Sequence, residues 1–159
     1  MDLSIIIFLL GGLFLGWSLG ANDAANVFGT AVGTRMVRFK TAAIVCSIFV
    51  ILGAIISGAG TTETLGKLGA INALPGAFAA CVAAGLSVYL MTKVGLPVST
   101  TQAIVGAIVG WNLYTGSATN IKVLITILGT WALCPVIAGL IAMGFFTLTK
   151  NFILERKIH

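Results

Sequence analysis

Asn22, Asp23 and Asn26 are the residues whose types and spacing most readily support chemistry. They sit in Gly20-Ala21-Asn22-Asp23-Ala24-Ala25-Asn26, at the end of a long apolar run that begins at Leu3. Asp23 is the only charged residue between Leu3 and Thr34. An ionisable group inside an apolar segment costs a few kcal/mol or more and usually lines a substrate or ion pathway. Asn22 and Asn26 lie four apart, so on a helix they share a face. A carboxylate flanked by carboxamides offers hard oxygen ligands, which suit a small cation or a proton. The plain alternative is a cap or turn at a membrane edge.

A second polar stretch is Gly95-Leu96-Pro97-Val98-Ser99-Thr100-Thr101-Gln102. Pro97 is expected to set the first turn of a helix and leave free N–H groups behind it. Ser99, Thr100 and Thr101 add three hydroxyls. Exposed N–H groups and hydroxyls at a helix N-terminus bind anions. From Pro97 to Trp111 a helix is roughly 22 Å long, short of a ~30 Å hydrocarbon core. The segment therefore reads as a half-helix or re-entrant piece with a polar tip. A simple Ser/Thr N-cap at an aqueous surface is the alternative.

The elements that must hold these stretches are membrane helices. Of the 159 residues 58% are hydrophobic and 8% charged, with a mean hydropathy of +1.11. Soluble domains carry about 25% charged residues. The period is helical, without the short alternating segments of a β-barrel. The expected fold is an all-α integral membrane protein. It has about four spanning helices plus the short half-helix, in a single transmembrane domain over residues 1–159. The net charge of +5 belongs to loops and orientation and implies no nucleic-acid partner. Cys46, Cys81 and Cys134 are isolated in apolar runs and read as small core residues. His159 is the last residue, with no expected role. The run from Leu3 to Leu19 is long, and no Lys or Arg precedes it, which argues against a cleaved signal peptide. An enzyme is not expected, because there is no paired carboxylate, metal-ligand cluster or nucleophile with a base.

In chain order, the first helix is expected over Leu3–Leu19. Gly12, Gly16 and Gly20 form a stripe for close packing. The chain should unwind at Gly20 and resume as a shorter helix to Gly33. The second helix is expected over Thr41–Ser57, followed by a Gly/Thr-rich loop from Gly58 to Gly69. The third runs from about Ala70 to Thr92, with Pro75 in its first turn and an Ala-rich face (Ala79, Ala80, Ala83, Ala84). Gly106 and Gly110 make a further close-packing pair. Asn112–Asn120 is a polar turn region. The last helix, Ile121 to about Thr149, is about 43 Å long and must tilt or kink at Pro135. The tail from Lys150 is basic.

If the segment after Pro97 counts as a crossing, seven basic residues fall on one side and Lys67 and Lys122 on the other. If it returns to its own side, the count is five against four. The positive-inside rule favours the first count, with the N-terminus outside, the C-terminus cytoplasmic and an odd number of crossings. An odd-crossing unit with polar breaks is what inverted-repeat transporters are built from.

Residues 20–33, GANDAANVFGTAVG, closely resemble the GANDxxNxxGTxVG signature of the inorganic phosphate transporter (PiT) family. Residues 95–106, GLPVSTTQAIVG, resemble its second motif, PVSTTHxxxG. The resemblance covers essentially the whole chain and is to one half of the family's architecture, the N-terminal half. It implies a phosphate symporter of the cell membrane driven by Na⁺ or H⁺, with no other cofactor. Asn22, Asp23 and Asn26 would hold the coupling cation, with Na⁺ as the metal, and the asparagines would help bind substrate. Ser99, Thr100 and Thr101 would bind inorganic phosphate. Gln102 stands where the family often has His and cannot titrate, which shifts the expectation toward Na⁺. The implied partners are phosphate, the lipid bilayer, and a second half-transporter chain or further copies. The alternatives are a permease for sulfate or another oxyanion, or a half-transporter inactive without its second half.

Overall fold

The computed structural model describes residues 3–69 and 74–151. Five helices follow one another: α1 (Leu3–Gly33), α2 (Phe39–Leu68), α3 (Leu74–Lys93), α4 (Thr100–Thr115) and α5 (Ile121–Thr149). Four are long and apolar enough to cross a membrane, namely α1, α2, α3 and α5. At 16 residues, α4 is the short one, about 24 Å long. The half-helix expected after Pro97 is therefore present. Helices α1–α4 belong to one compact unit and α5 to a second.

Two expected breaks do not occur. Helix α1 is continuous through Gly20, where no side chain or backbone from another element approaches within 4 Å. Nothing compels the chain to leave helical geometry there, and the amides bond along the helix instead: Asn26 Nδ2 donates to Asn22 Oδ1 at 3.1 Å. Helix α2 runs on through the stretch expected to be a loop. Thr62 and Thr64 return their hydroxyls to the Gly58 and Gly60 carbonyls, and Glu63 pairs with Lys67 one turn on. Local polar satisfaction outweighs the low helix propensity of glycine and threonine there. The expected start of the third helix at Ala70 lies outside the described residues, as do Asp2 and His159.

Helices α1 and α3 lie side by side and run in the same direction. Phe78 packs on Phe8 edge to face, at 5.8 Å between ring centroids. Further along, Gly85 meets Phe14 and Leu15, Tyr89 meets Trp17, and Thr92 meets Asn22. A constant offset of about 70 residues links these pairs. Close approach rests on Gly11 and Gly85, where a Cβ would fall 2.7 Å from Phe78 and 2.8 Å from Phe14. The stripe expected to do this, Gly12, Gly16 and Gly20, faces open space, as do Gly106 and Gly110. Ala80 and Ala84 are buried as expected, whereas Ala83 is exposed. Cys46 and Cys81 are half-buried and Cys134 is exposed, so none of the three is a core residue in this chain.

Helix α4 returns antiparallel to α3. Its first turn lies beside Ser87, Val88 and Met91, and its last beside Gly76, against which the Trp111 indole packs. At its far end, buried Asn112 fills the space a Cβ on Gly69 would need and donates to Thr119 at 3.0 Å. The Asn120 N–H bonds the Leu68 carbonyl. Helices α3 and α4 thus form a hairpin, with α4 ending beside the start of α3 and the end of α2.

Candidate functional site

The tip of the α3–α4 hairpin is written in its residues. Gly95, at φ +79°, is the left-handed residue that ends α3. Its N–H bonds the Thr92 carbonyl, and the Leu96 N–H bonds the Met91 carbonyl at 2.9 Å. This is the glycine-terminated stop seen at many helix ends. Residues 96–99 lie outside any helix, and Ser99, in extended backbone, is the N-cap of α4, accepting from the Gln102 N–H at 3.3 Å. Helix α4 therefore begins three residues later than Pro97 alone predicts. Pro97 restricts the approach, and the serine side chain chooses the start. The N–H groups of Thr100 and Thr101 lie in the first turn and have no partner within the helix.

This tip sits against the polar stretch of α1. Thr100, 5% exposed, donates its hydroxyl to both carboxylate oxygens of Asp23, at 3.3 and 3.4 Å. Those distances exceed the usual 2.7–2.8 Å of an O–H···O bond, so the pair is loosely closed. Asn22, 4% exposed, donates to the Thr92 hydroxyl at 3.1 Å. Thr92 in turn donates to the Val88 carbonyl at 2.8 Å. Asn22 also accepts from Asn26, so both ends of its amide are engaged. The two motifs, 77 residues apart at Asp23 and Thr100, thus meet in space. A groove of about 310 Å³ opens between Ala21, Asn22 and Asn26 on one side and Thr92, Gly95 and Pro97 on the other.

Asn22, Asp23 and Thr100 are in direct polar contact with neighbours across elements. Asn26 joins them through Asn22 but is itself exposed. Ser99 and Thr101 stand exposed at the α4 tip. Two participants were not singled out from the sequence. Thr92 is the cross-helix partner of Asn22; its only signal is a threonine one residue before the lysine that closes α3. Ser18 lies one turn below Asn22, is 1% exposed, and its hydroxyl has no partner. Its spacing of four from Asn22 carried that signal. Among the described residues, no group of three His, Cys, Asp or Glu side chains could hold a metal ion. The donor set is instead one carboxylate with amides and hydroxyls, hard oxygens that suit a monovalent cation or a proton better than a transition metal.

Residues 19–159 match the PHO4 model, described as the phosphate transporter family. The chain belongs to this family. A Thermococcus kodakarensis protein named "Putative phosphate permease TK2061" is 35% identical over 167 residues, covering 99% of this chain and 41% of that protein. A Plasmodium falciparum protein named sodium-dependent phosphate transporter is 33% identical, over 91% of this chain and 23% of its own length. A solved structure titled "The sodium-dependent phosphate transporter" superposes with a TM-score of 0.84 at 31% identity, over 95% of this chain and 40% of that one. The chain spans about two fifths of the length of the first of these relatives and of the solved transporter. With four apolar helices of spanning length, this PHO4-family chain is an integral membrane protein.

Proposed function

We propose that the chain is one half of a secondary carrier that symports inorganic phosphate with Na⁺ or H⁺. The observation that carries this reading is the contact between the motifs: the tip of α4 bears on the α1 carboxylate, Thr100 against Asp23. Ser99, Thr100 and Thr101, with the free N–H groups of the first turn of α4, replace the hydration of the phosphate oxygens. Asp23, Asn22 and Asn26 hold the coupling cation, and the asparagines help orient the substrate. A bound cation between Asp23 and the anion offsets charge that neither ion leaves balanced alone. Loading either site therefore favours loading the other. The loose Thr100–Asp23 pair is one a cation displaces at little cost.

Sodium is the favoured coupling ion. Gln102 offers no titratable group beside the phosphate loop, and two of the similar proteins bear the name sodium-dependent. A second half is needed to complete the carrier. The coverage of two fifths supports this, as do the open faces of Gly12, Gly16, Gly20, Gly106 and Gly110, which suit close helix packing. That half is a separate chain or region carrying its own pair of motifs, inserted with opposite orientation. The basic residues Arg35, Arg38 and Lys40 around the α1–α2 connection support a cytoplasmic side for it and an N-terminus outside.

The test is labelled phosphate uptake by proteoliposomes, with and without a Na⁺ gradient, first with this chain alone and then with its second half. Asp23→Asn is expected to lose coupled uptake by at least about tenfold, the loss of one charged contact. Cation-dependent uptake at the normal rate by that variant sinks the assignment. Unchanged uptake across Na⁺ gradients but a response to pH gradients makes H⁺ the coupling ion.

A further inference from the structure

Ser18 is buried in the seam between α1 and α3, bracketed by the Trp17–Tyr89 and Asn22–Thr92 contacts, and its hydroxyl bonds nothing. A serine inside a helix commonly returns its hydroxyl to the carbonyl one turn back. Ser47 and Ser87 do so, at 2.8 and 2.9 Å. Ser18 makes no such bond, although it is the one of the three shut away from water. One turn on, the amide nitrogen of Asn22 carries two hydrogens, and among the described residues it has one acceptor, Thr92. Asn22 is buried as well. A donor and an acceptor thus lie four residues apart on one buried face of α1, each lacking the bond the other offers. Side chains at that spacing are neighbours, with about 5–6 Å between Cβ atoms. A helical side chain also points back toward the N-terminus, so Asn22 leans over Ser18.

The bond between the asparagines decides what this pair is for. Asn26 points its nitrogen at the Asn22 oxygen. A cation held by both asparagines needs an oxygen from each, and an N–H aimed at the Asn22 oxygen repels it. The Asn26–Asn22 bond must therefore open on loading, and the Asn22 amide must turn its oxygen from Asn26 to the cation beside Asp23. Thr92 keeps one N–H and is the pivot of that turn. We infer that Ser18 is a positioning residue for Asn22: it accepts the second N–H of the turned amide and so fixes the amide oxygen on the coupling cation. The Ser18 hydroxyl then donates to the Phe14 carbonyl, the same bond that Ser47 and Ser87 make one turn back. The turned state pairs both groups that the empty state leaves unpaired, so the exchange favours loading. This rests on the reading of the chain as half of a phosphate carrier, with Asn22 and Asn26 as ligands of its cation.

The experiment titrates Na⁺ in initial phosphate uptake by proteoliposomes holding this chain with its second half, and follows thermal unfolding of the same proteins in Na⁺-free medium. Ser18→Ala is expected to raise KM for Na⁺ by about threefold to tenfold, the loss of one hydrogen bond, with Vmax at saturating Na⁺ little changed. Its Tm without Na⁺ is expected to equal or exceed that of wild type, because the substitution removes a buried hydroxyl that the empty protein leaves unpaired. A group that only supports packing gives the opposite pair of results. Ser18→Thr keeps the hydroxyl and a KM for Na⁺ near that of wild type. A KM for Ser18→Ala equal to that of wild type, while Asp23→Asn abolishes uptake, overturns the role of Ser18 and leaves the carrier reading standing. A lower Tm in Na⁺-free medium at constant KM overturns it as well, as does an equal rise in KM for Ser18→Thr. Wild-type uptake that follows pH gradients and ignores Na⁺ also overturns it and spares the carrier reading, since a proton needs no amide ligands. Absence of phosphate uptake by wild type under any ion gradient overturns the carrier reading and this inference together.

Discussion

Asn22 links two helices at the site. It reaches across to Thr92 on α3 and along α1 from Asn26, and it is nearly inaccessible. Asparagine four residues from asparagine was visible in the sequence as one polar face. The partner on α3 was not, because a threonine inside a helix ordinarily bonds its own i−4 carbonyl and signals nothing more. Thr92 does both, donating to Val88 and accepting from Asn22. Thr92→Val keeps the shape and removes the acceptor, leaving the Asn22 amide unpaired in a buried place. The cost is about 1–3 kcal/mol. The expected outcome is a lower Tm of the detergent-solubilised protein and a raised KM for the coupling cation, because Asn22 is then free to turn. A Tm and cation KM both equal to wild type would show that the Asn22–Thr92 bond positions nothing.

The helices were legible to different degrees, and the reasons are physical. Helix α5 falls where its apolar run begins and ends, Ile121–Thr149, with Lys122 in its first turn. Pro135 does not divide it. Helix α4 was legible as a short piece, but its start followed the Ser99 cap and not Pro97. The continuity of α1 and α2 was illegible because glycine, threonine and amide residues resemble loop formers until their partners one turn away are known. Glycine spacing misled in a further way: the pattern of four along Gly12, Gly16 and Gly20 marks a face, and only the neighbouring helix decides which face is used. Helix α3 uses Gly11. Gly11→Leu is therefore expected to disrupt the α1–α3 pair, since even a Cβ there meets Phe78, and overpacking typically costs about 1–3 kcal/mol. Gly12→Leu, one residue away and open, is expected to leave the folding of this chain unchanged and to weaken its association with the second half. Thermal unfolding of each variant alone, followed by co-purification with the second half, distinguishes the two effects. Equal destabilisation by both substitutions would refute the assignment of faces.

At the scale of the whole molecule the hairpin decides the topology. Since α1 and α3 run the same way and α4 runs back along α3, the end of α4 lies beside the end of α2. The Asn112 amide is pressed against Gly69, and the Asn120 N–H bonds the Leu68 carbonyl there. The α1–α2 loop lies at the opposite end. The site at Asp23 and Thr100 is then approached by a hairpin whose base is fixed on one side of the membrane and whose tip reaches toward the other. The Thr100–Asp23 contact is thus made by the far end of a hairpin whose base is tied down through Asn112 and Asn120. This arrangement gives a test that needs no transport assay. In a background without native cysteines, Lys67→Cys and Ser117→Cys are expected to react with a membrane-impermeant thiol reagent from the same side. Arg38→Cys is expected to react from the other side only. If Ser117→Cys and Arg38→Cys were labelled together, α4 would not return along α3. The contact between Thr100 and Asp23 would then have to be made by a different path of the chain.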